Sequence, residues 1–229
     1  MLPVKRETAP AAKSAFARAR ERFAARQEER RRETRIGFIV DATGSRHETW
    51  ERAQTVQATM FRSTAKLSAL SLRLVHFGGD RLADHGWMSN PRAVAARMAG
   101  VDCWIGLTQI VPALRSFATE DPESRANALI LIGDCFEESQ EDALAVARAL
   151  KSVGIRVFSF LEGNDWTAET VFRRLAEETG GKFARFGEDL PLGALCEGVA
   201  LLTAGGNEAV KRLGNKKVQR LLLTGPDGN

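Results

Sequence analysis

The sequence lacks the features that mark several large classes of protein. No run of 18 apolar residues is present to cross a bilayer. Glycine and proline number only 20 and 7 among 229 residues, too few for a collagen-like or low-complexity chain. The basic, alanine-rich N-terminus has no apolar core of about 7–15 residues, so it predicts no secretion signal. These absences leave a globular protein without a membrane span as the expectation.

Cysteine is scarce, and the usual nucleotide-binding motifs are absent. The three cysteines, Cys103, Cys135 and Cys196, are odd in number and form no C-x-x-C pair, which favours reduced thiols and a cytoplasmic location. No G-x-G-x-x-G or G-x-x-x-x-G-K-[ST] follows a predicted strand, which removes the common dinucleotide and NTP cradles. The sequence around Cys135 offers no His or Asn as an activating partner. A small buried thiol is therefore favoured there over a nucleophile.

Other catalytic patterns are missing as well. The histidines share no metal-ligand spacing and are interpreted as surface or strand residues; they are His47, His76 and His85. Asp41-Ala-Thr43 lacks the second Asp that a phosphoaspartate phosphatase would place two positions on. No general base is evident for a metal-assisted hydrolase. We therefore expect a protein that is not an enzyme.

Charge is unevenly distributed along the chain. Residues 1–35 hold 11 Lys and Arg against 5 Asp and Glu, and residues 205–229 hold 5 against 2. The residues between them hold 17 against 22, so basic segments flank an acidic body. We predict a basic helical N-terminal arm at 1–34, a folded domain at 35–204 and a basic C-terminal extension at 205–229.

The two basic segments admit several interpretations. The N-terminal arm is Arg-rich with interspersed Glu, which is typical of a solvated helix carrying i,i+4 ion pairs, and this interpretation is favoured. The alternatives are an arm that binds nucleic acid and a helix that docks on an acidic partner. The C-terminal extension predicts a further helix that packs either on the body or on a second chain.

Short apolar runs alternate with helical patterns through the folded domain. Runs apolar along their whole length are typical of strands buried on both faces of a parallel sheet. Such strands, separated by helices, predict an α/β, doubly wound, mostly parallel sheet with helices on both faces. The predicted strands are 36–40, 72–77, 85–88, 128–132, 155–161 and 182–186. Helices are expected at about 50–67, from 91, after 107 to 117, from 139, before Gly180 and from 192.

Oxygen-bearing side chains follow the predicted strands at the edge where such folds bind ligands. Asp41, Thr43 and Ser45 directly follow the first strand, Thr108 precedes a helix, and Asp134 ends the 128–132 strand. Hard oxygen ligands with no His or Cys suit Mg²⁺, Mn²⁺ or Ca²⁺. The alternative for the first loop is that its side chains only cap the following helix. The whole set favours a metal or anion site.

The order and spacing of these residues resemble a von Willebrand factor type A domain over about residues 35–204. The motifs are Asp41-x-Thr43-x-Ser45, Gly106-x-Thr108, the apolar strand ending in Asp134, and Thr179-Gly-Gly-Lys-Phe183. The resemblance implies a metal ion-dependent adhesion site with a divalent cation, Mg²⁺ first. It further implies that Thr43 and Ser45 bind the ion directly, that Asp41 and Asp134 act largely through water, and that Thr108 joins or leaves as the site switches.

Three positions depart from the family pattern. Thr43 stands where the family usually has Ser, Arg46 where it often has Met, and Cys135 where Gly commonly follows the last Asp. Thr43 keeps the hydroxyl oxygen but adds a methyl group. A guanidinium at position 46 would weaken cation binding or recruit an anion.

The residues and the resemblance together predict a metal-dependent protein-binding module. A cation at the top of the sheet would bridge to an Asp or Glu of a protein partner. The resemblance suggests a bacterial, intracellular relative whose partner is an AAA+ ATPase or a stress-response component. The alternative is a nucleic-acid-associated scaffold that uses the basic arms and has a vestigial metal site.

Overall fold

A computed structural model describes residues 33–46 and 70–224, and a six-stranded sheet lies at their centre. The strand order is β3-β2-β1-β4-β5-β6; all neighbours are parallel except the antiparallel pair β2 and β3. The strands are β1 Thr34–Asp41, β2 Leu70–Gly78, β3 Arg81–Met88, β4 Ala128–Gly133, β5 Arg156–Leu161 and β6 Phe183–Arg185. The predicted α/β fold is confirmed. The predicted helix at about 50–67 and residues 1–32 of the predicted arm lie outside the described residues.

Six α-helices cover the two faces of the sheet within the described ranges. They are α1 Pro91–Ala99, α2 Ile110–Ala118, α3 Gln140–Ser152, α4 Trp166–Thr179, α5 Leu192–Val210 and α6 Lys216–Leu223. One buried apolar cluster contains side chains of α1, α5 and α6, and the other contains side chains of α2, α3 and α4. Adjacent strand residues point to opposite faces, so Phe38 lies in the first cluster and Ile39 in the second. A strand packed on both faces must be apolar through its centre, as β1 is from Ile36 to Val40.

Two helix ends follow the chemistry expected from the sequence. The Ser139 side chain accepts the backbone N–H of Asp142 at the start of α3. Helix α4 ends at Thr179, and the following Gly180 has φ 72°, the left-handed conformation that glycine adopts without strain.

Helix α2 is anchored at its C-terminal end by a buried charge network. Arg73 on β2 is 7% exposed and pairs with Asp84 on β3 and with Glu120, which follows α2. The indole N–H of Trp87 also donates to Glu120, at 2.8 Å. The Arg73 hydrogen bond is the main cause that holds the pKa of Asp84 below its usual value. These contacts join the antiparallel edge of the sheet to α2.

The C-terminal segment packs on the body of the protein as far as residue 224. Helix α5 is interrupted at Gly206, where φ is 63°, and α6 follows a short turn. Val210, Leu213, Val218 and Leu222 are buried in the apolar cluster that also contains α1. Of the two packing arrangements predicted for this helix, the structure therefore shows packing on the body. No helix in ranges 33–46 and 70–224 is long and apolar enough to span a membrane.

Candidate metal centre

The predicted ligands meet where β1 and β4 end side by side. Val40 pairs with Ile132 in the parallel register, so Asp41 lies beside Gly133 and Asp134 comes one residue later. The chain runs from β1 to β2 and β3 on one side, and then crosses from β3 to β4 on the other side of β1. That is the switch point at which doubly wound sheets form their ligand crevices.

The loop after β1 holds three side-chain oxygens in one hydrogen-bonded series. Asp41 is fully buried, and its Oδ1 accepts the backbone N–H of Thr43 at 2.8 Å and the Thr43 hydroxyl at 2.6 Å. The hydroxyl oxygens of Thr43 and Ser45 are 3.1 Å apart. Ser45 is exposed and lies in a short 3-10 turn, Gly44–Arg46. The oxygens thus extend from a buried carboxylate to the surface, as a cation site open to a partner requires.

The loop after β4 brings two further donors to the same place. Ligand atoms of Asp41, Asp134 and Cys135 all lie within 4.8 Å of one another. Ser45 Oγ is 3.9 Å from Cys135 Sγ. Asp134 Oδ1 is buried and has no hydrogen-bond partner among the residues that the structure describes. A cation would satisfy that oxygen, so the residues present fit the metal that the fold family implies.

The close approach of the two loops depends on Gly133. A Cβ atom at this position would lie 3.3 Å from Asp41 Cβ and 3.4 Å from Asp41 Oδ2. A side chain here would therefore press on the buried carboxylate. Glycine lets the end of β4 lie directly against it.

Two carboxylates place negative charge beside the Cys135 thiol. The pKa of the Cys135 thiol is raised to about 12, first by burial and then by the charges of Asp134 and Asp41. A protonated thiol is a poor nucleophile, which agrees with the interpretation of Cys135 as non-catalytic.

Thr108 is joined to the loop that carries Asp134. Its side chain is buried, its backbone N–H donates to the Glu137 carboxylate at 3.1 Å, and its hydroxyl accepts the Glu137 N–H at 3.0 Å. These reciprocal bonds tie the loop before α2 to the loop after β4. A movement of either loop would therefore act on the other.

Glu138 supplies the cap that α2 lacks in its own sequence. Gln109 at the N-cap makes no side-chain cap bond, whereas the Glu138 carboxylate accepts the N–H of Ile110 at 2.6 Å and that of Val111 at 2.9 Å. Burial raises the pKa of Glu138, against the effect of these bonds. The sequence analysis did not identify Glu137 or Glu138; the signal was two acidic residues just after Asp134.

The loop at 101–109 lies against the loop that follows β1 and exposes large apolar side chains. Trp104 donates its backbone N–H to Ala42 at 3.0 Å and forms a bridge with Thr43. Trp104, Ile105 and Leu107 are 53%, 95% and 65% exposed. An apolar surface therefore lies next to the predicted cation site.

Two histidines that share no sequence spacing meet across β2 and β3. His76 Nδ1 and His85 Nε2 are 3.2 Å apart, and their rings are stacked. Burial is the main cause that lowers the pKa of His76 to about 4 and also lowers that of His85. Their position as strand residues is confirmed, but their contact was not predicted. His47 and the side chain of Arg46 lie outside the described residues.

Comparisons with known proteins agree with this architecture. No protein-family model matches the sequence, and no curated protein matches it either. A von Willebrand factor type A structure from Catenulispora acidiphila is similar with a TM-score of 0.62 and 17% identity, covering 76% of this chain and 43% of that one. The conserved hypothetical protein BatB from Bacteroides thetaiotaomicron has a TM-score of 0.58 and 14% identity over 79% of this chain and 98% of its own.

A third similar structure contains a metal. It is proximal thread matrix protein 1 from the mussel byssus with a zinc-occupied adhesion-site motif, at a TM-score of 0.59 and 17% identity; the match covers 73% of this chain and 45% of that one. The present chain thus spans less than half of the Catenulispora and mussel proteins. Taken together, these likenesses show that the chain has the fold of a von Willebrand factor type A domain.

Proposed function

We propose that the protein is a non-enzymatic binding module in which a divalent cation bridges its sheet edge to a carboxylate of a protein partner. The observation that carries the proposal is the convergence of Asp41, Thr43, Ser45 and Asp134, with the Asp134 oxygen buried and unsatisfied among the described residues. The cation is Mg²⁺ or Mn²⁺ if only oxygens bind it. Thr108 acts on the site through its bonds to Glu137.

Charge and surface character define the partner. Two ionised Asp side chains would give the inner site a charge of about −2, which a divalent cation neutralises, so that one partner Asp or Glu is accepted. The exposed side chains of Trp104, Ile105 and Leu107 suit apolar residues next to that acidic one. We propose an AAA+ ATPase or a stress-response component as the class of partner, in a bacterial cytoplasm.

The decisive experiment is retention of partner proteins from cell extract on the immobilised chain. Retention should require a divalent cation, be lost with EDTA and be lost with Asp134→Asn. Ile105→Ser should weaken partner retention without changing cation affinity. Trp166→Ser is the control: it changes another apolar residue, 77% exposed, and should leave partner retention unchanged. Retention that survives both EDTA and Asp134→Asn would refute metal bridging.

The nucleic-acid scaffold is the second proposal, and the positive charge of the two basic segments is the observation that favours it. Binding through these segments would be electrostatic, so retention on DNA would fall steeply with salt and ignore EDTA. EDTA and salt therefore separate the two proposals. Retention of a protein partner should be lost with EDTA, whereas retention on DNA should be lost with salt and should not respond to EDTA.

A further inference from the structure

A sulfur atom distinguishes this site from one built only of oxygens. Cys135 Sγ belongs to the cluster in which the ligand atoms of Asp41 and Asp134 lie within 4.8 Å of it and of each other. Ser45 Oγ lies 3.9 Å from the same sulfur. The thiol therefore faces the place that the proposed cation would occupy.

We propose that Cys135 is itself a ligand of that cation, and that its sulfur makes the site prefer zinc-like cations, Zn²⁺ or Co²⁺, to Mg²⁺. The inference rests on the proposed function, because it concerns the same site. Thiolate sulfur favours zinc-like ions, whereas carboxylate, carbonyl and water oxygens suit Mg²⁺, Ca²⁺ and Mn²⁺. One sulfur and two carboxylates make three protein donors, which leaves the fourth position of a four-coordinate ion for the partner.

The separations in the cluster are near those that such an ion requires. Bonds of about 2.3 Å to sulfur and about 2.0–2.2 Å to carboxylate oxygen place ligand atoms roughly 3.4–3.7 Å apart around a tetrahedral ion. The ligand atoms of the cluster lie within 4.8 Å of one another. Binding would therefore draw the side chains together by at most about 1.4 Å.

The binding step balances without any redox partner. The S–H bond of Cys135 breaks, its proton passes to solvent, and the sulfur lone pair forms the bond to the cation. The cation takes the place of the proton beside two carboxylates. Asp134 Oδ1, unsatisfied among the described residues, gains a partner in the same step.

The other two cysteines supply the contrast. Cys196 is fully buried in the apolar cluster that contains α5, and Cys103 is half-buried against that same cluster. Cys103 is the better control, because it is a thiol of similar exposure that lies outside the Asp41–Asp134–Cys135 group.

The experiment is a Co²⁺ titration of the reduced protein, followed by absorbance in the near ultraviolet. Wild type and Cys103→Ser should show the sulfur-to-cobalt charge-transfer band, and Cys135→Ser and Cys135→Gly should not. Calorimetry should show Zn²⁺ binding weakened by at least the roughly 10–100-fold that the loss of even an outer-shell partner costs. Mg²⁺ affinity should stay within about threefold in Cys135→Ser.

The other outcomes are also informative. Co²⁺ binding without the charge-transfer band, a band that disappears in Cys103→Ser, or Zn²⁺ affinity unchanged in Cys135→Ser would each overturn the inference. Cation-dependent partner retention would then leave the proposed function intact. Conversely, a Cys135-dependent band together with EDTA-insensitive partner retention would support the ligand assignment and refute metal bridging.

Discussion

A carboxylate with no exposed surface is costly to bury unless its charge is compensated, and Asp41 is such a residue. Two donors from Thr43 bind one of its oxygens, and a second carboxylate and a thiol lie close by. Buried polar groups that cost stability persist where function needs them. At the scale of single residues, this cluster of donors supports the proposed cation site.

Asp134→Asn tests whether repulsion between the two carboxylates destabilises the metal-free protein and whether a cation reverses it. Removing one of two neighbouring carboxylates relieves repulsion in the metal-free protein, so the variant should be as stable as wild type or slightly more stable in EDTA. With saturating cation, wild type should gain RT ln(1 + [L]/Kd) and the variant should not. Thermal melts with EDTA and with Mg²⁺, Mn²⁺ or Zn²⁺ measure both effects. An equal metal-dependent shift in the two proteins would remove Asp134 from the site.

The hydroxyls of Thr43 and Ser45 differ in burial, and this separates their variants. Ser45 is exposed, so Ser45→Ala should change metal-free stability by no more than about 0.5 kcal/mol while removing most of the stabilisation by cation. Thr43 is 2% exposed and donates to Asp41, so Thr43→Ala should also cost about 1–3 kcal/mol without metal. Thr43→Ser keeps the oxygen and should keep cation binding. A Ser45→Ala loss of about 1 kcal/mol regardless of metal would favour helix capping instead.

Site residues within one loop could be predicted from the sequence more easily than site residues that come together from different strands. Asp41, Thr43 and Ser45 are spaced by two, and a single turn can bring their oxygens together. Cys135 was interpreted only as a buried thiol, because its relation to Asp41 exists only once β1 and β4 lie in register. Glu138 was missed for the same reason, since the helix that it caps lies 28 residues earlier in the chain.

At the scale of elements, the buried parallel strands were predictable and the edge was not. β1 is apolar from Ile36 to Val40, and β4 is apolar along its whole length, because both faces are covered. β3 is half-exposed, and its pattern of exposure does not reveal that it runs antiparallel to β2 after the Gly78–Gly79 break. Its predicted extent, 85–88, was accordingly four residues short at the start.

The loop that carries the apolar surface is held by contact between two glycines. A Cβ atom on Gly106 would lie 2.2 Å from Gly79 Cα, and Gly79 has φ 60°. Gly106→Ala must displace the loop and should cost about 1–3 kcal/mol. Gly187→Ala, where nothing lies within 4 Å, should be close to neutral. Urea unfolding measures both, and equal stability of the two variants would show that the loop adapts without cost.

The burial of His76, beside His85, predicts a loss of stability in mild acid. The His76 pKa is lowered to about 4, mainly by burial, from about 6.5 in the unfolded chain. Below pH 6.5 the unfolded chain binds more protons than the folded one, so the free energy of unfolding falls as the pH drops toward 4. Arg97 and Asp84 act on His85 in opposite directions. Between pH 7.5 and pH 5.5, the urea midpoint should fall further in wild type than in His76→Gln. An equal fall in the two proteins would contradict the assignment to His76.

At the scale of the whole molecule, the N-terminal and C-terminal segments have similar charge but are expected to contribute differently to stability. Both are basic, yet residues 205–224 contribute buried side chains to a core cluster. Residues 1–32 lie outside the described ranges, and the expectation for them rests on sequence alone. Their apolar stripe is thin; it consists of Phe16, Ala19, Phe23 and Ala24. Charge therefore did not indicate which segment belongs to the folded body; the spacing of Val210, Leu213 and Val218 was the more useful signal.

Truncation at each end tests this difference. Deleting residues 205–229 removes Val210, Leu213, Val218 and Leu222, each worth about 1.5–3 kcal/mol when fully buried. Their sum is comparable with the roughly 5–15 kcal/mol that holds a domain together, so this truncation should abolish cooperative unfolding.

Deleting residues 1–30 should shift the thermal midpoint by only a few degrees, as a loss of about 1 kcal/mol would. Circular dichroism melts report both, and Leu222→Ala, expected to cost about 2–5 kcal/mol, provides a soluble substitute if the longer deletion aggregates. A Leu222→Ala variant as stable as wild type would show that α6 contributes little to the core, and collapse on removal of residues 1–30 would show that the N-terminal arm is part of it.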